Sequence, residues 1–330
     1  MKRGKSKMRQ SKRKRIVFIV TVISIIVVLG IVGLFKSGAM IQKDYKKPVR
    51  YKKLKYLSYK LEDHYNKKIL CSSGIKEMPY EYQIKKNGKL YGTLIDEYGY
   101  PLKKYGHVME DTIAYNVKHI RFGGRGSLLY LDHKNRLYGM GWNSHEEFQI
   151  KMPEDKRNNV STAVFRQPVF IMKNIIYASI NEGGAVIAMK KDRSVWTWGS
   201  NAGGMLGYDK NTDLISCKPK KIFENVKYIV AGGYNMAVIT EKNDLYLWGD
   251  NTYGQLGNGK KDGWYFGDSD KECWFKPKKV MKDVAAVHMG SGGIIVTRMD
   301  GSKWATGIGF GNERSESGKK VSTRFVMISK

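Results

Sequence analysis

The sequence predicts an all-β chain, a β-propeller of about five repeats, preceded by one N-terminal transmembrane helix. Three observations carry this reading. A frame of short apolar runs begins at Val117, Ile175, Val226 and Val284, so it recurs in steps of 58, 51 and 58 residues. Periods of this size belong to propellers and solenoid arrays. The runs are bounded by Gly, Asn and Asp, the pattern of strands buried on both faces between stacked sheets. Upstream of them, Ile16 to Phe35 is a stretch of 20 residues without a charge.

Taken in order, residues 1–15 carry nine Lys/Arg and no acid, part of a net charge of +29. Such a run before an apolar segment sets topology and attracts anionic lipid, so it reads as a cytoplasmic tail and no nucleic-acid partner is expected. Residues 16–35 read as a signal anchor, since about 20 residues at ~1.5 Å each cross a ~30 Å hydrocarbon core. That is longer than the apolar region of a cleaved signal peptide, although Ser37-Gly38-Ala39 offers removal after Ala39 as the alternative. The expected localisation is therefore the cell membrane, single-pass, with everything after Lys36 extracytoplasmic. Residues 36–68 form a stalk with eleven Lys/Arg against Asp44, Glu62 and Asp63. Leu54, Leu57, Leu61 and Tyr65 recur there at helical spacing, suiting a helix on the membrane surface, or a helix or strand packed on the first repeat. Residues 69–330 are the repeat domain.

In the first repeat Ile69-Leu70-Cys71 reads as a strand, Asn87-Gly88 as a two-residue hairpin, and Lys89-Leu90-Tyr91-Gly92 parallels Arg136-Leu137-Tyr138-Gly139. The stretch Asn225 to Gly257 is the clearest of the set. Asn135, Asp192-Arg193, Asn243-Asp244 and Asp300-Gly301 occupy the same hairpin position as Asn87-Gly88, each supplying a residue tolerant of positive φ. Gly199-Ser200-Asn201 and Gly249-Asp250-Asn251 mark sharp exits from the third strand, after which Leu206 and Leu256 plug the core. Pro219 and Pro277 belong to an outer strand, where a missing N–H is tolerated. Trp196, Trp198, Trp248 and Trp304 fall on the third strand in a shared register and read as packing between sheets.

At these residues the chain resembles the regulator-of-chromosome-condensation repeat family. The resemblance rests on Val226-x-x-Ile229-x-Ala231-Gly232-Gly233, on Leu245-Tyr246-Leu247-Trp248-Gly249-Asp250-Asn251, on Gly254-Gln255-Leu256-Gly257, and on Val195 to Asn201 with Leu206-Gly207. The repeats at Asn143 and Gly307 depart from it after those residues. The resemblance implies a propeller of four-stranded blades, commonly seven, against about five visible here. A five-bladed ring, an open arc and unrecognised blades all remain compatible with the sequence. It also implies action through protein recognition, and a membrane-anchored, exported member of bacterial type.

Catalytic signatures are absent from the pattern. His64, His107, His119, His133, His145 and His288 are scattered, without metal-ligand spacing. Met289-Gly290-Ser291-Gly292 is a turn of the repeat frame and not a nucleophile elbow. Asp209-x-Asn211-x-Asp213 starts like a calcium loop but has Leu214 and Lys220 where Gly and Glu are required. Cys71, Cys217 and Cys273 read as free thiols. No enzyme activity, cofactor or metal is expected. What the repeat frame does not absorb is the insertion Lys260 to Lys276, with Trp264, Tyr265, Phe266, Trp274 and Phe275. Loop aromatics are frequent anchors at interfaces; the competing reading folds them over the blade edge. A second long link, Ser144 to Asn159, is charged and reads as solvated. The sequence thus predicts a binding module for an unidentified protein or an anionic cell-wall polymer, attached to the membrane through residues 16–35. An inhibitor or regulator of a cell-envelope enzyme, and a polysaccharide-acting enzyme, are the alternatives.

Overall fold

The computed structural model of the chain describes residues 69–70, 81–85, 87–93, 103–104, 107–108, 110–123, 126–156, 163–208, 214–261, 274–314 and 320–330. The tail, anchor and stalk assigned to 1–68 lie almost wholly outside these residues, as do Asp209-x-Asn211-x-Asp213, Trp264, Tyr265 and Phe266. Among the described residues no helix is long and apolar enough to cross a membrane.

Among the described residues five four-stranded sheets follow one another. The first holds β1 (Ile69–Leu70), β2 (Glu81–Ile84) and β3 (Leu90–Thr93), then a small hairpin, β4 (Lys103–Lys104) and β5 (His107–Val108), and finally β6 (Glu110–Ala114) as its outer strand. The second comprises β7 (Val117–Phe122), β8 (Leu128–Asp132), β9 (Arg136–Trp142) and β10 (Val164–Lys173). The third comprises β11 (Ile175–Ile180), β12 (Ala185–Lys190), β13 (Val195–Ser200) and β14 (Ile215–Phe223). The fourth comprises β15 (Val226–Gly232), β16 (Asn235–Thr240), β17 (Leu245–Gly249) and β18 (Trp274–Met281). The fifth comprises β19 (Val284–Met289), β20 (Gly293–Arg298), β21 (Lys303–Arg314) and β22 (Lys320–Ser329). Every pairing is antiparallel between neighbours, with the first strands of successive blades side by side and the fourth strands outermost.

Blade stacking explains the apolar runs. Ala185 to Met189 and Met236 to Ile239 are buried throughout, because both faces of a second strand meet a neighbouring sheet. Four apolar clusters fill the junctions between successive blades: Tyr82 to Val164 between the first and second, Leu129 to Trp198 between the second and third, Tyr177 to Trp248 between the third and fourth, Tyr228 to Val296 between the fourth and fifth. None of these four joins the fifth blade to the first.

Two sets of left-handed residues tie the array together. The hairpins between second and third strands place Gly88, Asn135, Asn243 and Gly301 at positive φ, as the sequence predicts, and at Asp192-Arg193 it is Arg193 and not the aspartate that takes that conformation. The residue linking each blade to the next is also left-handed: Asn116, Asn174, Asn225 and Asp283. These side chains tolerate that conformation because they are short and polar. The first N–H of each new blade then donates to the preceding hairpin, Val117 to Gly88, Ile175 to Asn135, Val226 to Arg193 and Val284 to Asn243, at 2.8, 3.0, 3.2 and 2.9 Å.

The tryptophans divide into two registers rather than one. Trp198 and Trp248, each one residue before a glycine, are fully buried between blades. Trp196 and Trp304 stand two positions earlier, half-buried, with indole N–H groups donated to Ser194 and Ser302. The strand's period of two puts all four on one face, but at different depths. Pro168, Pro219 and Pro277 lie in outer strands β10, β14 and β18, each within an interruption of the register. A residue without an N–H is accommodated at such a bulge on an edge strand.

Candidate recognition rim

Antiparallel order sends the second-to-third hairpins and blade links to one rim, and the first-to-second turns and third-to-fourth connections to the other. The second rim carries the long connections: Asn143 to Ala163, Asn201 to Leu214 and Asp250 to Cys273. Its geometry begins at the glycine ending the third strand. Gly199 and Gly249 have φ of +96° and +106°, and a Cβ on either would lie 2.4 Å from a carbonyl oxygen of the adjacent strand, that of Gly184 or Tyr234. Only glycine lets the chain leave the sheet there.

An asparagine then fixes the exit. Asn143, Asn201 and Asn251 are buried, and their Oδ1 atoms accept the N–H of the residue five positions on: Phe148 at 2.7 Å, Leu206 at 3.1 Å and Leu256 at 2.9 Å. That residue is the core plug in each case. The stretch after Asn143, which departs from the repeat pattern in sequence, therefore keeps its geometry with Phe148 in place of leucine. The position just before the plug receives the tryptophan of the next blade. Trp198 Nε1–H donates to the Glu147 carbonyl at 2.7 Å, and Trp248 Nε1–H to that of Met205 at 2.9 Å. In the fifth blade Thr306 stands at the tryptophan's strand position, and its Oγ1–H donates to the carbonyl of Gly254, two residues before the plug, at 2.9 Å.

Beneath the rim lie buried polar groups that these loops consume. Asn235 Nδ2 donates to the Asp250 carbonyl at 2.6 Å, while Gln255 Nε2 donates to the Asp250 carboxylate at 2.8 Å, and Thr252 Oγ1 to its other oxygen at 2.7 Å. In the second blade Glu147, 1% exposed, accepts the His145 N–H at 2.9 Å and stands 3.4 Å from both Ser127 Oγ and His145 Nδ1. The neighbouring Glu146 accepts the Met152 N–H at 3.1 Å. The expectation of a solvated link from Ser144 is thus corrected over its first half: Ser144, Glu146, Glu147, Phe148 and Met152 are buried. Its carboxylates satisfy backbone donors of the loop, which is why they face inward. Cys217 lies beside Glu146, and burial with that carboxylate pushes its thiol up; it is half-buried and free. Among the described residues no group of His, Cys, Asp and Glu is arranged to hold a metal ion.

The aromatic insertion opens on this same rim, since Gly249 and Trp274 end and begin paired strands there. Trp264, Tyr265 and Phe266 lie outside the described residues. Trp274 and Phe275 are not loop residues, as their place in the insertion had implied; they are the first two of β18, with Trp274 opposite Gly249. Phe275 is half-buried, its ring against Gly204 of the preceding blade's exit loop. The first-to-second turns approach one another, and Ser291 Oγ–H reaches the Glu182 carboxylate two blades away at 2.9 Å. The link Asn116/Asn174/Asn225/Asp283 and the Glu182–Ser291 contact were not read from sequence. The first had a signal, Asn or Asp directly before each β-branched frame start; the second had none.

Comparison with known proteins fits this architecture. The regulator of chromosome condensation (RCC1) repeat matches residues 242–295, and a second description of that repeat matches residues 226–255. The chain is 30% identical over 167 residues to the human E3 ubiquitin-protein ligase HERC2, which covers 48% of this chain and 3% of that protein. It is 28% identical over 151 residues to the Arabidopsis thaliana ultraviolet-B receptor UVR8, covering 45% of this chain and 33% of the receptor. The chain thus spans a minor part of the curated relatives it matches. Among solved structures, Prp20p from Saccharomyces cerevisiae aligns with a TM-score of 0.57 at 19% identity, covering 76% of this chain and 61% of the other. Human WBSCR16 aligns at 0.56 and 17%, covering 76% and 64%. Residues 226–295 thus match the regulator of chromosome condensation (RCC1) repeat, and the four-stranded sheets share the fold of Prp20p and WBSCR16.

Proposed function

We propose that the chain is a membrane-anchored, extracytoplasmic binding module that recognises a protein or an anionic cell-wall polymer and performs no chemistry. The observation that supports it best is the asymmetry of the two rims. One rim is made of short hairpins and links closed by backbone hydrogen bonds. The other carries the third-to-fourth connections, the long aromatic one among them, on a scaffold whose buried polar groups hold the loops in place. Variable loops on a rigid frame are the usual arrangement for recognition. The yeast Prp20p structure is described with its binding properties to Gsp1p and histones, so a related fold engages proteins. The anchor rests on the apolar run 16–35 and the cations before it. A polymer partner is supported by the net charge of +29 and by exposed lysines such as Lys218, Lys220, Lys276 and Lys278 along the outer strands.

The test uses the full chain in lipid nanodiscs, as bait for envelope extracts and for purified anionic wall polymer. The expected result is a retained partner whose binding drops when Trp264 and Trp274 are changed to Ala. A polymer partner is released as salt rises, because screening shortens to about 3 Å at 1 M. Retention that ignores both substitutions places recognition elsewhere than in the insertion. Protease added to sealed cells is expected to digest residues 36–330, and their protection would refute the topology.

A further inference from the structure

The outer strands β10, β14, β18 and β22 are aligned by their pairing with the third strands, which allows a position-by-position comparison of these edges. Lys220 opposes Thr197, Lys278 opposes Leu247 and Val326 opposes Ala305, all two residues before the exit glycine or its equivalent. In β10, where Val169 opposes Gly139, the edge reads Pro168-Val169-Phe170, in β14 Pro219-Lys220-Lys221, in β18 Pro277-Lys278-Lys279, and in β22 Phe325-Val326-Met327. Phe170 is 52% exposed, but proline removes a ladder donor beside it as in β14 and β18, and lysine, which resists desolvation, further blunts the latter two against pairing with another strand. The β22 edge has neither device. It continues as Ile328, and Met327 and Ile328 are 54% and 45% exposed, where Lys221 and Lys279 of the sister blades are cationic and Ile222 and Val280 are half-buried.

The near end of this edge is already occupied. Gly259 N–H donates to the Thr323 carbonyl at 2.7 Å, and Asn258 forms a bridge with Arg324. From Phe325 to Ser329 no strand or loop of the described residues pairs with the outer side of β22. Residues 320–330 carry Lys320, Arg324 and Lys330 and no acid. A second copy pairing antiparallel about Met327 would set Arg324 opposite Lys330, a like-charge pair that disfavours the register.

We propose that the outer edge of β22, Phe325 to Ser329, is a docking site for an extended segment of a partner protein, with apolar residues at alternate positions and acidic residues flanking them. Main-chain hydrogen bonds to the free edge supply affinity, Met327 and Ile328 cover alternate side chains on the two faces, and the flanking cations select an acidic segment. The site is separate from the aromatic rim.

The test screens the full chain in nanodiscs against a displayed library of extended peptides with glutamate-rich flanks. The variant Val326→Lys/Met327→Lys copies the residues that β14 and β18 carry at these positions, and circular dichroism checks that it folds. Selected peptides are expected to bind the unaltered chain, and to weaken about tenfold or more when their edge-facing amides are N-methylated, since the main-chain bonds are lost. The lysine variant is expected to weaken them as much, while Trp264→Ala/Trp274→Ala leaves them unchanged. Failure to select any peptide, or equal binding to the lysine variant, overturns the proposal. Sedimentation showing a dimer of the unaltered chain that the lysine variant dissociates also overturns it, by assigning the edge to a second copy.

Discussion

Replacing Gly249 by alanine tests the exit geometry against a control within the same fold. Gly249 and Gly301 both have positive φ, +106° and +87°. At Gly301 an added Cβ meets nothing within 4 Å, whereas at Gly249 it lies 2.4 Å from the Tyr234 carbonyl oxygen. Left-handed strain alone costs about 1–2 kcal/mol in an L residue, so Gly301→Ala should destabilise by roughly that amount. Gly249→Ala adds displacement of a packed strand, about 1–3 kcal/mol. It also disturbs the hydrogen bond that the same carbonyl accepts from the Asp250 N–H at 3.1 Å, at about 1 kcal/mol. The expected total is roughly 3–6 kcal/mol. Urea unfolding followed by tryptophan fluorescence reads the difference as a midpoint lowered by about 1 M or more relative to Gly301→Ala. If the two variants unfold within about 0.5 kcal/mol of each other, the close approach is not what demands glycine, and the account of the exit turn is wrong.

Trp248→Phe should cost about 2–4 kcal/mol, because it opens space in a full junction and leaves the Met205 carbonyl without its indole donor, while the half-buried Trp196→Phe should cost less than about 1 kcal/mol; thermal unfolding of the pair checks this. Cys217, its thiol pushed up by burial and by Glu146, should react with iodoacetamide more slowly at mildly alkaline pH in the folded chain than after denaturation. Peptide mapping by mass spectrometry measures this site separately from Cys71 and Cys273. The hydroxyl and N–H of Ser302 hold the Asp300 carboxyl below the ordinary aspartate value of 3.8. A depressed carboxyl contributes stability above its unfolded value and loses it as pH falls through the folded one. Asp300→Asn should therefore flatten the acid limb of the stability curve below pH 3.8, read from denaturant midpoints at stepped pH, and an unchanged limb would count against the Ser302 contacts.

Much of the fold was legible because blade packing writes itself into short runs. Val117, Ile175, Val226 and Val284, read as frame starts, are the first residues of β7, β11, β15 and β19. The worn first repeat was also readable, from Asn87-Gly88 and Ile69-Leu70, since a two-residue hairpin needs specific residues whatever surrounds it. Legibility fell where a position is defined by depth or by partners distant in sequence. Trp196 and Trp198 look alike as letters, yet one reaches a serine in its own blade and the other a carbonyl 51 residues away. Glu146 and Glu147 read as solvated charges because nothing local shows that backbone donors await them. Trp274 and Phe275 sat in an aromatic run whose second half is the start of a strand, and only pairing with Gly249 separates the two parts. Of the candidate site, the sequence located the rim connection, and the structure moved part of its aromatic content onto the blade.

The match of the repeat to residues 242–295 is out of phase with the blades: it runs from the hairpin of the fourth blade into the second strand of the fifth. Within that span lie both the Asn243 carbonyl and the Val284 N–H that bond across the blade boundary at 2.9 Å. That matched unit therefore holds a complete blade-to-blade joint, whereas the other match, residues 226–255, starts with β15 and stays within the fourth blade.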